Sequence, residues 1–276
     1  MHTPVFLNQV MESLGIKRGG QYIDATAGEG GHLKQMLLQG ARVLAIDWNP
    51  EQITALKKQI TDQNVLFHCG NFADIETIAG EKGFAQVDGI LFDLGLSMRE
   101  LQNLEKGFSY KRPEEPLDMR LNEETQLTAA EIINRFSEEE LADILAKNSE
   151  ELYSAKIAKQ IVEERRIQKI YTVGQLLVVL DRSIGGSSGS NEKVYARIFQ
   201  ALRIAVNEEP DNLQKALAGG MKLLAEGGKM VVITFHSLED RAVKLFARRN
   251  HIVEKRIEVK SPHSFERSAK LRVLQK

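Results

Sequence analysis

Apolar positions in the first hundred residues fall into short runs that each end on a polar side chain. Tyr22-Ile23 leads to Asp24, Val43-Leu-Ala-Ile46 to Asp47, Val65-Leu-Phe67 to Asn71 and Phe72, and Gly89-Ile-Leu-Phe92 to Asp93. Runs this short predict strands, while the intervening stretches carry helical spacing, as in 32–38 and 51–60. Asn49-Pro50 stands where the second of those helices should begin, because proline suits a first helical turn. Four strands alternating with helices predict a parallel α/β sheet. Ligands of such sheets gather at the carboxyl ends of the strands, where Asp24, Asp47, Asn71, Phe72 and Asp93 all fall.

Beyond about residue 104 the pattern becomes helical. Thr128-x-x-Glu131, Ser137-x-x-Glu140 and Thr172-x-x-Gln175 each read as a capping box before an apolar-periodic run. Residues 185–191 form a glycine- and serine-rich loop, and 197–207 predict a mostly buried helix with Arg197 and Arg203 on its surface. The sheet then resumes. A helix over 211–225 should stop at Gly227-Gly228, and a strand over 229–235 should pass through His236 and Ser237 into another helix. Weaker runs at 255–260 and 271–274 predict an antiparallel edge. The expected organisation is one sheet domain, 1–103 with 210–276, interrupted by a helical insert over 104–209.

The chemistry concentrates in Tyr22-Ile-Asp-Ala-Thr-Ala-Gly-Glu-Gly-Gly-His32, a strand, a glycine turn and a helix start. Gly28, Gly30 and Gly31 would let the backbone turn and a ligand approach with no Cβ in the way. Asp47 follows Gly30 by 17 residues, close to the ~20 expected of a carboxylate that grips ribose hydroxyls. A dinucleotide fingerprint would need glycine at position 33, which is Leu33. S-adenosylmethionine, an adenosine with no phosphate, fits the turn and the ribose acid without that glycine. Phe72 could stack on an adenine or fill the core, and spacing alone leaves both readings open.

Composition adds bounds. The chain has 276 residues, 42% hydrophobic and 27% charged, as in ordinary globular domains. Its longest apolar runs, such as Leu176-Leu-Val-Val-Leu180, are too short to span a bilayer, and the N-terminus lacks a leader's apolar stretch. A single cysteine, Cys69, excludes an internal disulfide and a Cys-x-x-Cys zinc site, and its apolar setting predicts a small core residue. A cytoplasmic protein is expected. The net charge of −1 hides eleven basic residues against three acids from Arg241 to Lys276. Such an end suggests a polyanion contact, although a solvated tail is the bland alternative.

Seven motifs occur in order: Asp24-Ala-Thr-Ala-Gly-Glu-Gly-Gly-His32, Asp93-Leu-Gly-Leu-Ser97, Gly107-Phe-Ser109, Pro116-Leu-Asp-Met-Arg120, Phe199-Gln-Ala-Leu-Arg-Ile-Ala-Val-Asn207, Phe235-His-Ser-Leu-Glu-Asp-Arg241 and Arg267-Ser-Ala-Lys-Leu-Arg272. Together they resemble the ribosomal RNA small subunit methyltransferase H family, essentially from end to end. That family methylates the N4 amine of a cytosine in the decoding region of 16S ribosomal RNA. The resemblance implies a class I methyltransferase fold with a helical insert and S-adenosylmethionine as donor. It further implies donor contacts at Gly30, Gly31, His32, Asp47, Phe72 and Asp93, with the 16S RNA, in the small ribosomal subunit, as partner. The chain departs from the family at Met98, where a second serine is usual, and at Glu100, where a glutamine or histidine donor contact is usual. The approach to the Phe199 motif and the segment before Arg267 also differ.

A sulfonium-bound methyl group is already activated, so no metal is expected. Asp93 could accept the hydrogens of the attacking amine, or it could hold the methionine part of the donor. His236 and Ser237 could face the substrate or simply terminate the strand. Arg197, Arg203, Arg241 and Arg272 are the expected phosphate contacts, with the target base unpaired or flipped out. Competing expectations are methylation of another RNA, a small molecule or a protein, and a noncatalytic donor-binding RNA scaffold.

Overall fold

Seven strands form one sheet in the order β3-β2-β1-β4-β5-β7-β6 in the computed structural model, which describes residues 4–95, 105–185, 191–259 and 268–276. The chain begins with α1 (Leu7–Leu14), β1 (Gln21–Asp24), α2 (Gly31–Leu38), β2 (Arg42–Asp47), α3 (Pro50–Gln59) and β3 (Val65–Cys69). A 3-10 turn (Phe72–Asp74), α4 (Ile75–Glu81) and β4 (Val87–Asp93) follow. Strands β1 to β4 run parallel, as does β5 (Leu224–Thr234) beside β4. After α11 (Ser237–Arg249), β6 (Val253–Ile257) and β7 (Lys270–Gln275) close the sheet, with β7 antiparallel to both β5 and β6.

Both faces of the central strands are covered, which is why β1, β2, β4 and the second half of β5 are largely apolar rather than alternating. Ile23, Leu44, Ile46, Ile90, Phe92 and Val232 pack with Ile75, Leu217 and Phe246 on one face. Tyr22, Val43, Ala45, Leu91 and Ile233 pack with Leu14, Leu33, Met36 and Leu56 on the other. Strand β1 lies between β2 and β4, so the connections leaving β1 and β4 diverge and open a crevice at their carboxyl ends.

Three expectations change. Cys69 is exposed, because it is the last residue of an edge strand. The third strand stops there, short of Asn71 and Phe72. Gly227-Gly228 does not end a helix, since α10 (Glu209–Leu223) runs straight into β5. Gly227 has φ 73°, and a Cβ on Gly228 would lie 2.8 Å from the Ala225 carbonyl oxygen. The two glycines thus serve an irregular stretch where the β4–β5 register shifts.

Residues divide by contact into Met1–Ser97 with Pro210–Lys276, and Met98–Glu209. The second unit holds α5 (Ala129–Arg135), α6 (Glu138–Ser149), α7 (Ser154–Ile167), α8 (Val173–Ile184) and α9 (Glu192–Val206). All three capping boxes form, at Thr128, Ser137 and Thr172. Helix α6 packs against α7 and α9, and α8 packs against α7. Asn207 fastens the loop before α5, donating to the Met119 carbonyl at 2.8 Å and accepting from the Leu121 N–H at 2.9 Å.

Candidate functional site

The turn after β1 is shaped by two left-handed glycines, Gly28 (φ 48°) and Gly30 (φ 78°), of which Gly30 is the N-cap of α2. The Gly28 N–H donates to Asp47 Oδ2 at 2.8 Å, and the Asn49 N–H donates to Asp47 Oδ1 at 2.8 Å. Each oxygen of the carboxylate at the end of β2 is therefore aimed by a backbone donor, one from the glycine turn and one from the start of α3. The glycines have unequal roles. A Cβ on Gly30 would fall 2.6 Å from Leu56 Cδ2, and one on Gly31 would fall 2.3 Å from Pro4 Cγ. At Gly28 the nearest atom would be the Thr26 carbonyl oxygen, at 3.9 Å. The need for glycine thus differs among the three positions. At Gly30 and Gly31 the room a Cβ would need is filled by the chain's own side chains, and only Gly28 faces open space.

Two further acids meet at the ends of β1 and β4. Asp24 pairs in register with Leu91, so Asp24 and Asp93, two residues beyond Leu91, project to the same side of the sheet. Thr26 ties them together: its N–H donates to Asp24 Oδ1 at 3.3 Å, and its hydroxyl accepts the Asp93 N–H at 2.6 Å. Asp93 Oδ1 is buried with no well-formed hydrogen bond among the described residues, while Oδ2 lies 3.7 Å from His32 Nδ1. His32 is buried, and its Nε2 lies 3.0 Å from the Val5 carbonyl oxygen. Burial raises both carboxyls to about 7, with Asp47 adding to the effect on Asp24 and Asp24 to that on Asp93.

That shift carries a stability consequence. Between the ordinary carboxylate value of 3.8 and about 7, the folded state binds the proton that the unfolded chain has released. Stability without ligand therefore falls as pH rises through this window, by about 1.4 kcal/mol per pH unit for each retained proton. Urea denaturation at pH 5 and pH 7.5 should show this loss, and Asp24→Asn should flatten it.

Phe72 meets Phe92 edge to face, with centroids 5.9 Å apart, and is only partly buried. It both packs on the core and presents a surface near the end of β3. Asn71 is engaged locally, its Oδ1 accepting the Ala73 N–H at 2.9 Å. Glu100, Ser97 and Met98 lie outside the described residues.

The histidine and arginine expectations are sorted by their partners. His236 is the N-cap of α11: its Nε2 lies 3.0 Å from Glu239 Oε1, and Glu239 accepts the Phe235 N–H at 2.7 Å. His236 thus caps the helix that follows the strand, while Ser237 and Arg241 are exposed on the same helix. Arg272 is a correction. Only 4% of it is exposed, its Nε donates to Asp240 Oδ1 at 2.7 Å, and a second nitrogen pairs with Glu254. A guanidinium buried between two carboxylates is not available to a phosphate. Arg203 is likewise held, by a two-point bond to Glu209 at 2.7 and 2.9 Å. Arg197, about half exposed, donates to Glu151 at 3.1 Å. Sequence reasoning passed over the partnership of Asp24 with Asp93. The polar strand end marked Asp24, but no sequence signal marked the bridging Thr26.

A doubly wound sheet with an antiparallel β7, a glycine turn after β1 and acids ending β1, β2 and β4 defines a class I methyltransferase. The sequence model of the MraW methylase family matches residues 1–276, and the chain belongs to that family. Ribosomal RNA small subunit methyltransferase H of Coprothermobacter proteolyticus is 40% identical over 289 residues, covering 100% of this chain and 96% of that protein. The protein of the same name from Dehalococcoides mccartyi is 42% identical over 250 residues, 89% of this chain and 70% of the relative. That from Dictyoglomus thermophilum is 40% identical over 288 residues, covering 99% and 96%.

Proposed function

We propose that the protein transfers a methyl group from S-adenosylmethionine to the exocyclic N4 amine of a cytosine in 16S ribosomal RNA, within the small ribosomal subunit. The observation that carries the reading is the Asp47 carboxylate, aimed by the Gly28 and Asn49 N–H groups at the mouth of the switch-point crevice. Relatives at 40–42% identity that bear the small-subunit methyltransferase name support the substrate. The donor supplies a methyl group made electrophilic by its sulfonium.

The chain's residues then have separable tasks. Asp47 takes the ribose hydroxyls, Gly28 leaves room for the nucleoside, and Phe72 presents a ring face to the adenine. Backbone of Gly30 and Gly31 shapes the turn, and His32 orients Asp93. Asp93 accepts a proton from the amine as its nitrogen bonds to the methyl carbon, a role suited to a carboxyl near neutrality. Aligning amine and methyl group contributes on the order of 7–11 kcal/mol to such a reaction. Arg197, Arg241 and Ser237 are the exposed or half-exposed groups assigned to RNA.

Tritiated S-adenosylmethionine, with small subunits from cells lacking the endogenous enzyme, tests the reading. Label should appear at a cytosine N4 and fall by at least about 100-fold with Asp93→Ala, the lower range for loss of a general base. Label on a protein or a small molecule instead would overturn the substrate assignment. Donor binding with no label on any subunit component would favour the scaffold reading.

A further inference from the structure

We propose that Asp24, Asp93 and His32 share a proton in the free protein, and that seating the cationic donor on them expels it. Asp93 then becomes a proton acceptor only once the donor is in place. This rests on the donor site assigned above and adds to it a coupling between donor binding and proton release.

The Val5 carbonyl can only accept, so His32 Nε2, 3.0 Å away, must carry the hydrogen. In a neutral ring Nδ1 is then a lone pair, yet it faces Asp93 Oδ2 at 3.7 Å. A lone pair facing a carboxylate oxygen is repulsive unless a proton belongs to one of them. Asp93 Oδ1 is buried and has no well-formed hydrogen bond among the described residues, and the Gly95 N–H is the one backbone group that favours its charged form there. Asp24, 1% exposed, adds a second carboxyl to the same desolvated side of the sheet; it accepts the Thr26 N–H, while the Thr26 hydroxyl accepts the backbone N–H of Asp93. Burial disfavours the charged form of both carboxyls, and the charge of Asp24 further disfavours ionisation of Asp93.

The surrounding charges make the proton's position responsive. Facing the pair are Asp47 from the end of β2, Glu239 from α11 and His32 from α2, so only one of the three can become a cation among the described residues. An acid-rich floor with no fixed cation among the described residues responds strongly to an arriving positive charge. The donor brings a sulfonium and an ammonium, which favour carboxylate over carboxylic acid, and the O–H proton passes to solvent. During transfer the nitrogen–carbon bond forms, the sulfur–carbon bond breaks and the amine proton moves to the Asp93 carboxylate. The thioether product has lost the sulfonium charge, so it suits a pair that has just regained a proton. Each turnover therefore restores the starting protonation state.

S-adenosylhomocysteine provides the comparison, since it keeps the amino acid end and lacks only the methyl group and its charge. Calorimetry at pH 6.5 in buffers of different ionisation enthalpy counts protons released by each ligand. The donor should release about half a proton or more beyond the product, and its affinity should rise about ten-fold relative to the product between pH 6 and pH 8. In Asp24→Asn, titrated at ligand concentrations that saturate the variant, the difference between the ligands in protons released should shrink. Equal proton counts and parallel pH profiles for the two ligands in the unaltered protein would overturn the coupling and leave the donor site standing. Failure of both ligands to bind would overturn the donor site, and the coupling with it.

Discussion

Asp47→Ala is expected to weaken binding of S-adenosylmethionine by about 100-fold, a loss of roughly 3 kcal/mol. The magnitude follows from what the carboxylate does on both of its sides. In the proposed donor site it offers charged acceptors to ribose hydroxyls, and hydrogen bonds to charged groups contribute about 1.5–3 kcal/mol each. Toward the chain it accepts from the Gly28 and Asn49 N–H groups, both at 2.8 Å. Alanine removes the ribose acceptor and loosens the glycine turn together. Asp47→Asn retains one oxygen and should fall between, because its amide nitrogen cannot accept from the second backbone donor. Calorimetric titration of the donor, with far-ultraviolet circular dichroism to confirm the fold, measures both variants. An unchanged affinity in Asp47→Ala would remove the ribose from this end of β2.

Arg272→Leu is expected to destabilise the protein by about 3 kcal/mol. Removing one partner of a buried ion pair costs about 3–5 kcal/mol, since the abandoned charge stays buried. The lower end applies because Lys270 still donates to Asp240 at 3.0 Å. Leucine keeps much of the volume between α11 and the β6–β7 edge, so the loss reports charge rather than a cavity. In Asp240 burial opposes ionisation, but the bonds from Arg272 and Lys270 outweigh it and hold the carboxyl below its usual 3.8. The pair's contribution is thus present above about pH 4 and lost as pH falls further. Chemical denaturation at pH 7 and pH 3 should show the gap between wild type and Arg272→Leu closing in acid. RNA affinity of the folded variant should be nearly unchanged. A large, salt-dependent loss of RNA binding at intact stability would return Arg272 to the phosphate contacts.

Arg272 also shows where reading the chain reached its limit. Counted along the sequence it is one of eleven basic residues near the end. Folded, it faces Asp240, which lies 32 residues away on α11, and Glu254 on β6. A charge run records composition, whereas pairing depends on which elements become neighbours. Gly31 shows the same, because a Cβ there would meet Pro4, and at Gly30 a Cβ would meet Leu56 in addition to the strain of the left-handed φ that the turn itself requires.

Local physics alone determined much of this protein. Short apolar runs ending on Asp24, Asp47 and Asp93, the capping boxes at Thr128, Ser137 and Thr172, and the left-handed glycines of the first turn are written in neighbouring residues. Their energetics act over a few positions, so spacing suffices to read them. Strand order β3-β2-β1-β4-β5-β7-β6 places Asp24 beside Asp93 although they are far apart in the chain, and Thr26 joins them only after β1 and β4 pair. Whether an arginine is free or neutralised, and whether two acids share a proton, depends on burial and on partners from distant segments. Those belong to the tertiary structure, because desolvation and charge pairing act through space and not along the chain.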